Sequence, residues 1–232
     1  MSIYNHQKNV SIGSTIREVV FGVEDGMVST LGAITGIAIG SQDYFTVILA
    51  GLVIISVESI SMGIGSYLAN RSERDVNQRR IAEEKEEIHK HPKEEKNELE
   101  NMFIRDGWSS NLAQEMSIEA SQNKELILKE MSYRELGVSQ LYPSLPIKNA
   151  VFMYLSYIIG GLIPLVAYFF LPVLWAMPVS IFVTLVGLFI LGVATTKYTK
   201  VSWFKSGMRI LIFGSVALSV GFVVGKIVTL FQ

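Results

Sequence analysis

The chain has 232 residues and a mean hydropathy of +0.37; half of its residues are hydrophobic and only 18% are charged. This composition excludes an ordinary water-soluble globular protein, in which about 25% of residues are charged. The net charge of −1 says little because the charges are unevenly distributed, and the lack of cysteine excludes disulfides and thiolate metal sites.

The charges are concentrated in a polar block between two hydrophobic blocks. Sixteen of the 21 acidic residues and 12 of the 20 basic residues lie between Arg71 and Leu145. We therefore predict three regions: residues 1–69 with a tail and two hydrophobic helices, residues 70–146 as a polar domain, and residues 147–232 with three more hydrophobic helices.

Five hydrophobic runs are long enough to cross a bilayer, which takes about 20 apolar residues in a helix. They cover residues 16–40, 44–69, 150–171, 174–196 and 204–230. The sequence thus predicts an all-α membrane protein with five transmembrane helices. Lysine and arginine are found before the first run, after the second, and between the fourth and fifth, which predicts a cytoplasmic N-terminus and a cytoplasmic polar block.

The first hydrophobic run contains an acid on a stripe of small residues. At helical spacing, Asp25 shares one face with Gly22, Ser29, Gly32 and Gly36. Small residues at this spacing allow close helix packing, so Asp25 is expected to face protein or water and to be functional. The alternative is that the stripe is only a dimer seam, with Asp25 hydrogen-bonded across it.

The second run places three possible ligands on one helical face. Glu58, Met62 and Ser66 follow each other at intervals of four residues. A carboxylate prefers harder ions and a thioether softer ones, so the pair describes a weak site for a borderline ion such as Fe²⁺.

The polar block is predicted to be a small helical domain, in which glutamates recur at helical spacing. The pairs are Glu84 with Glu87, Glu95 with Glu98, and Met131 with Glu135. Spacing alone favours a solvated charged face for these residues.

Glu86 and His89 form a single Glu-x-x-His, whereas a ferritin-like di-iron centre needs two such motifs on different helices. A ferroxidase enzyme is therefore not predicted.

The chain resembles the vacuolar iron transporter family in two motifs, "REVVFGVEDGMVSTLG" and "SISMGIGSYLANRSERD". It also resembles the family in the Glu-rich block between the second and third hydrophobic runs. The resemblance covers nearly the whole chain. It implies five membrane helices, a homodimer, and export of Fe²⁺ and often Mn²⁺ from the cytosol, in known cases by proton antiport. It implies no enzymatic activity, no prosthetic group and no nucleic-acid partner, and leaves Zn²⁺ and Co²⁺ open as substrates.

The resemblance also assigns expected roles to single residues. Asp25 and Met62 match residues that line the family's transport pathway. The positions that match ligands of the cytoplasmic metal-binding domain are Glu84, Glu87, Glu95, Glu98, Met131 and Glu135. The chain departs from the family at Glu24, where many members have Asn, and at Ser66, where many have Glu; Glu58 is the candidate substitute. These departures leave ion preference and proton coupling open.

A membrane-anchored metal sensor or store without transport is the second hypothesis. A buried acid on a small-residue stripe argues against it, because such a protein needs no polar path through the membrane. The expected location is a prokaryotic cell membrane, or a vacuolar membrane in a eukaryote.

Overall fold

The computed structural model describes residues 7–137, 145–228 and 230, without the side chains of residues 7–12, 198 and 228. The predictions for the N-terminal tail, residues 1–6, and for residues 138–144 of the polar block lie outside the described residues. Within the described ranges the chain forms eight helices and no strand. The helices are α1 (Gln7–Ser41), α2 (Tyr44–Lys90), α3 (Pro92–Arg105), α4 (Ser110–Gln122), α5 (Lys124–Arg134), α6 (Pro146–Phe170), α7 (Val173–Thr199) and α8 (Trp203–Val228).

Local sequence explains several of these helix ends. Asp43 accepts a hydrogen bond from a backbone N–H in the first turn of α2 at 2.9 Å, as an N-cap does. Pro92 begins α3, where its missing N–H costs nothing, and Gly107 follows the end of α3 with a φ of +100°. Asn123 caps α5 by accepting two backbone N–H bonds.

Four of the helices, α2, α6, α7 and α8, are long and apolar enough to cross a membrane. Helix α1 is not among them, although the first predicted span lies within it. Its 35 residues make it about 52 Å long, which exceeds the roughly 30 Å of bilayer hydrocarbon. Arg17, Glu18, Glu24 and Asp25 lie between its first third and its middle, and these charges lower its mean hydropathy.

The helices divide into two compact units, Met1–Leu68 with Pro146–Gln232, and Ala69–Leu145. In the first unit, which we call the membrane unit, α1 packs against α6, α7 and α8. Met27, Leu31 and Ile34 of α1 are almost completely buried. The charged first helix thus packs against three more apolar helices, and its Glu24 and Asp25 side chains are half-buried.

The glycine stripe of α1 is used inside the chain. A Cβ atom added at Gly22 would lie 2.9 Å from the Met153 carbonyl oxygen of α6, and one at Gly36 would lie 2.9 Å from the Gly221 carbonyl oxygen of α8. Such distances mean that the backbones approach as closely as glycine allows. The interpretation of this stripe as only a dimer seam is therefore wrong for these positions.

The second unit, which we call the helical unit, has its own hydrophobic core. Helices α3, α4 and α5 bury their apolar faces together with the end of α2. The core residues are Ile88, Leu99, Met102, Phe103, Ala113, Ala120, Ile127 and Met131.

Candidate functional site

A polar cluster in the membrane unit is organised by Tyr157 of α6, whose side chain is completely buried. Its hydroxyl donates a hydrogen bond to the Glu58 carboxylate of α2 and lies 2.5 Å from the Ser29 hydroxyl of α1. One phenol thus joins polar groups from three helices. Tyr157 was not predicted from the sequence, because its partners are 99 and 128 residues away along the chain.

Asp25 belongs to the same cluster. Its half-buried carboxylate interacts electrostatically with Glu58 and with Tyr157. The structure therefore brings two of the three predicted pathway residues together. Met62 is half-buried one turn beyond Glu58, and Glu24 is a half-buried neighbour that interacts electrostatically with Asp25. Two half-buried acids that interact electrostatically attract a cation or a proton.

Glu18 of α1 is a buried acid that contacts Ser66, the position at which many members of the similar family have Glu. The Ser66 hydroxyl donates to one Glu18 carboxylate oxygen at 2.9 Å, and Arg17 donates to the other at 3.0 Å. Glu18 is only 4% exposed. A carboxylate is thus present beside Ser66, but it comes from α1. The sequence signal for Glu18 is its place as an acid at the edge of a hydrophobic run, and spacing alone does not predict its role.

In the helical unit, the predicted metal ligands differ in burial. Glu84 and Glu95 are buried, Met131 is completely buried in the core, and Glu87, Glu98 and Glu135 are exposed. One carboxylate oxygen of Glu84 is buried and has no hydrogen-bond partner among the described residues. A buried carboxylate oxygen without a donor is costly, so this position favours a proton or a cation.

The five glutamates interact electrostatically. Burial raises the pKa of Glu84, and the charge of Glu135, a hydrogen bond shared with Glu135 and the charges of Glu95 and Glu87 raise it further, to about 8. Two carboxyl groups can share a hydrogen bond only if one of them is protonated. Burial raises the pKa of Glu95, and the charges of Glu98, Glu87 and Glu135 raise it further. These carboxylates, from α2, α3 and the residue that follows α5, therefore repel each other in the absence of a cation.

The cluster does not have the geometry of a coordination site. In the part of the chain that the structure describes, no three side chains of His, Asp or Glu converge to hold one ion. Glu98 and Glu135 line a cavity of about 790 Å³ that also borders Arg134. Arg134 bonds to Asp106 and Glu130 and lies over a core phenylalanine ring. It is thus held by other groups and does not neutralise the glutamates.

Comparisons with known proteins agree with this combination of features. The sequence profile of the VIT family matches residues 16–226. Vacuolar iron transporter 1 of Oryza sativa subsp. japonica is 31% identical over 226 residues, which cover 97% of this chain and 90% of the relative. Vacuolar iron transporter 1 of Arabidopsis thaliana is 28% identical over 97% of this chain and 90% of its own length. The vacuolar iron transporter of Plasmodium falciparum is 26% identical over 91% of this chain and 81% of its own length.

Proposed function

Because this chain belongs to the VIT family, we propose that it is a multi-pass membrane transporter that exports Fe²⁺ from the cytosol in exchange for protons. The family consists of transporters and not enzymes. The relatives are vacuolar iron transporters, which supports iron as the substrate; Mn²⁺, Zn²⁺ and Co²⁺ are the alternative ions. The observation that carries the proposal is the polar cluster of Asp25, Glu58, Tyr157 and Ser29 among membrane helices.

We assign the fifth membrane span to α1. Its charges would be expensive in lipid, at about 2.5–3.5 kcal/mol for an acid at the centre of a membrane helix. Packing of α1 against α6, α7 and α8 supports the assignment, because these apolar helices cover it on several sides. Membrane helices that line an ion path are the usual place for such acids.

Asp25 and Glu58 are proposed to bind the ion during its passage, with Met62 further along the same path. Two carboxylates provide hard oxygen ligands and the thioether a softer one, which suits a borderline ion held weakly enough to leave. Protons from the far side would compete for the same carboxylates and release the metal. A second copy of the chain is proposed to complete the path at a homodimer interface.

The helical unit is proposed to lie in the cytoplasm and to collect the ion first. Its candidate ligands are Glu84, Glu87, Glu95, Glu98, Met131 and Glu135. Mutual repulsion among the glutamates supports this role, since a divalent cation would relieve it. The membrane is proposed to be that of a prokaryotic cell, or of the vacuole if the source is eukaryotic.

Uptake of Fe²⁺ into proteoliposomes under reducing conditions tests the proposal, with a pH-sensitive dye to follow counter-movement of protons. In Asp25→Asn we expect initial uptake to fall about tenfold or more, which corresponds to at least 1.4 kcal/mol of lost ion stabilisation. Asp43→Asn is the matched control, because Asp43 is exposed in the turn between α1 and α2. Uptake by Asp25→Asn at the control rate would make Asp25 a packing residue. Metal binding without any flux in the wild type would favour the sensor or storage hypothesis.

A further inference from the structure

The connection between α7 and α8 carries only positively charged side chains. Four cations, Lys197, Lys200, Lys205 and Arg209, occur within 13 residues, and no acidic residue follows Glu135 anywhere in the sequence. All four side chains are exposed. Among the residues that the structure describes, none of the four forms an ion pair. We call residues 197–209 the basic turn.

Aromatic side chains accompany these cations. Trp203 and Phe204 begin α8, and their ring centroids lie 5.8 Å apart in an edge-to-face contact. Phe189 of α7 lies edge-on to Trp203 at 6.2 Å. Trp203 is nevertheless 58% exposed and Phe204 51%. Exposed tryptophan at the end of a membrane helix is typical of the level of the lipid headgroups.

The basic turn is also geometrically tight. Lys200 ends α7 in the left-handed conformation, with a φ of +53°, and α8 begins three residues later. Gly192 of α7 packs against the backbone of Ser206 and Gly207 of α8, where an added Cβ would lie 2.6 Å from the Ser206 carbonyl oxygen. The two helices are thus closely apposed next to the turn, and its cations are confined to one short segment at the ends of two membrane-length helices.

We propose that the basic turn binds anionic phospholipids of the surrounding bilayer. The lysines complement the phosphate charge, while Trp203 and Phe204 contact the glycerol and upper acyl region. A cluster of at least four basic residues beside a membrane helix is the pattern expected for anionic lipid recognition. The alternative explanation is that these cations only set the orientation of the chain during membrane insertion. That role predicts no lipid preference, whereas lipid binding predicts a measurable local enrichment of anionic lipid.

The three tryptophans of the chain permit a local measurement. Replacing Trp108 and Trp175 by phenylalanine leaves Trp203 as the only tryptophan. The full chain is reconstituted in phosphatidylcholine vesicles that contain either brominated phosphatidylglycerol or brominated phosphatidylcholine as quencher. The control retains only Trp175, which is 66% exposed near the start of α7, at the opposite end of that helix from the basic turn.

We expect brominated phosphatidylglycerol to quench Trp203 roughly 10-fold more effectively than brominated phosphatidylcholine, and to show no such preference at Trp175. Replacing Lys197, Lys200 and Lys205 by glutamine should abolish the preference at Trp203 while quenching by phosphatidylcholine persists, which reports intact insertion. The charge-matched control replaces the exposed Lys93, Lys124 and Lys129 by glutamine and should keep the preference.

Three results would overturn the assignment. Equal selectivity at Trp203 and Trp175 would mean that anionic lipid is not enriched at the basic turn. A preference that survives the triple lysine replacement would mean that other groups cause it. Equal quenching of Trp203 by the two brominated lipids, together with a change in Trp203 fluorescence on adding soluble glycerol phosphate, would show that the turn binds a free phosphate ester instead of a lipid.

Discussion

At the scale of single residues, the arrangement around Tyr157 explains how an acid is tolerated in the membrane unit. Glu58 receives the phenolic hydrogen bond, and that phenol is held in place by complete burial and by its contact with Ser29. A carboxylate that accepts a fixed donor is cheaper to bury than an isolated one. The donor also limits the positions that Glu58 can take relative to Asp25.

Glu95 provides a residue-scale prediction about pH. Burial, and then the neighbouring glutamates, raise the pKa of Glu95 in the folded protein. Protonation of Glu95 therefore stabilises the fold. This stabilisation is complete below the unfolded pKa of about 4.5 and is lost as pH rises through the raised folded value. In EDTA we therefore expect Glu95→Gln to stabilise the helical unit at pH 8 relative to wild type. After solvent screening, the difference should be on the order of 1 kcal/mol.

The measurement is thermal unfolding followed by circular dichroism at 222 nm, at pH 5 and pH 8 without metal. Glu119→Gln is the control, because it removes the same charge from an exposed position on α4. An identical pH dependence in Glu95→Gln and wild type would contradict the raised pKa.

At the scale of helices, α1 and α8 meet through glycine on both sides. Gly221 and Gly225 of α8 face Gly32 and Gly36 of α1, and a Cβ at Gly221 would overlap the Gly32 carbonyl group. Backbone atoms cannot move aside as a flexible side chain can. The close approach therefore depends on the absence of a Cβ atom on both helices.

We expect Gly221→Ala to destabilise the membrane unit by about 1–3 kcal/mol, the usual cost of overpacking. Gly40→Ala is the control, since a Cβ at Gly40 would meet nothing within 4 Å. Thermal melting in detergent compares the two variants. If the melting temperature of Gly221→Ala equals that of Gly40→Ala, the contact between α1 and α8 is looser than described.

At the scale of the whole molecule, the proposed function assigns capture of the ion to the helical unit and its passage to the membrane unit. Glu87 and Glu98 are exposed members of the glutamate cluster, so replacing both with glutamine should leave the fold intact. We expect the Fe²⁺ concentration for half-maximal uptake to rise roughly 3- to 10-fold while the maximal rate changes less than about twofold.

Uptake measured over a range of Fe²⁺ concentrations tests this separation. Glu115→Gln with Glu119→Gln is the charge-matched control on α4, where both residues are exposed. An equal loss in both double variants would indicate a general effect of surface charge. A fall in the maximal rate alone would place these glutamates in the passage step.

The sequence by itself determined the helical class, the membrane character and the family. Hydropathy, helix propensity and residues such as Pro92 and Gly107 act over a few neighbours, so they can be read directly from the chain. It also indicated which acids are unusual, since Asp25 and Glu58 interrupt hydrophobic runs. The five-helix count is supported only in part, because α1 forms a long helix but its charged residues leave it less apolar than the four helices that meet the length and hydropathy needed to cross a membrane.

Only the tertiary structure decided which polar groups meet. Tyr157 reaches Glu58 and Ser29, and Glu18 reaches Ser66, across separations of 48 to 128 residues. The glycine stripe of α1 likewise had two possible partners until α6 and α8 were placed against it. Periodicity specifies the face of a helix on which a residue lies. Which neighbouring helix packs against that face depends on how well the two whole surfaces fit.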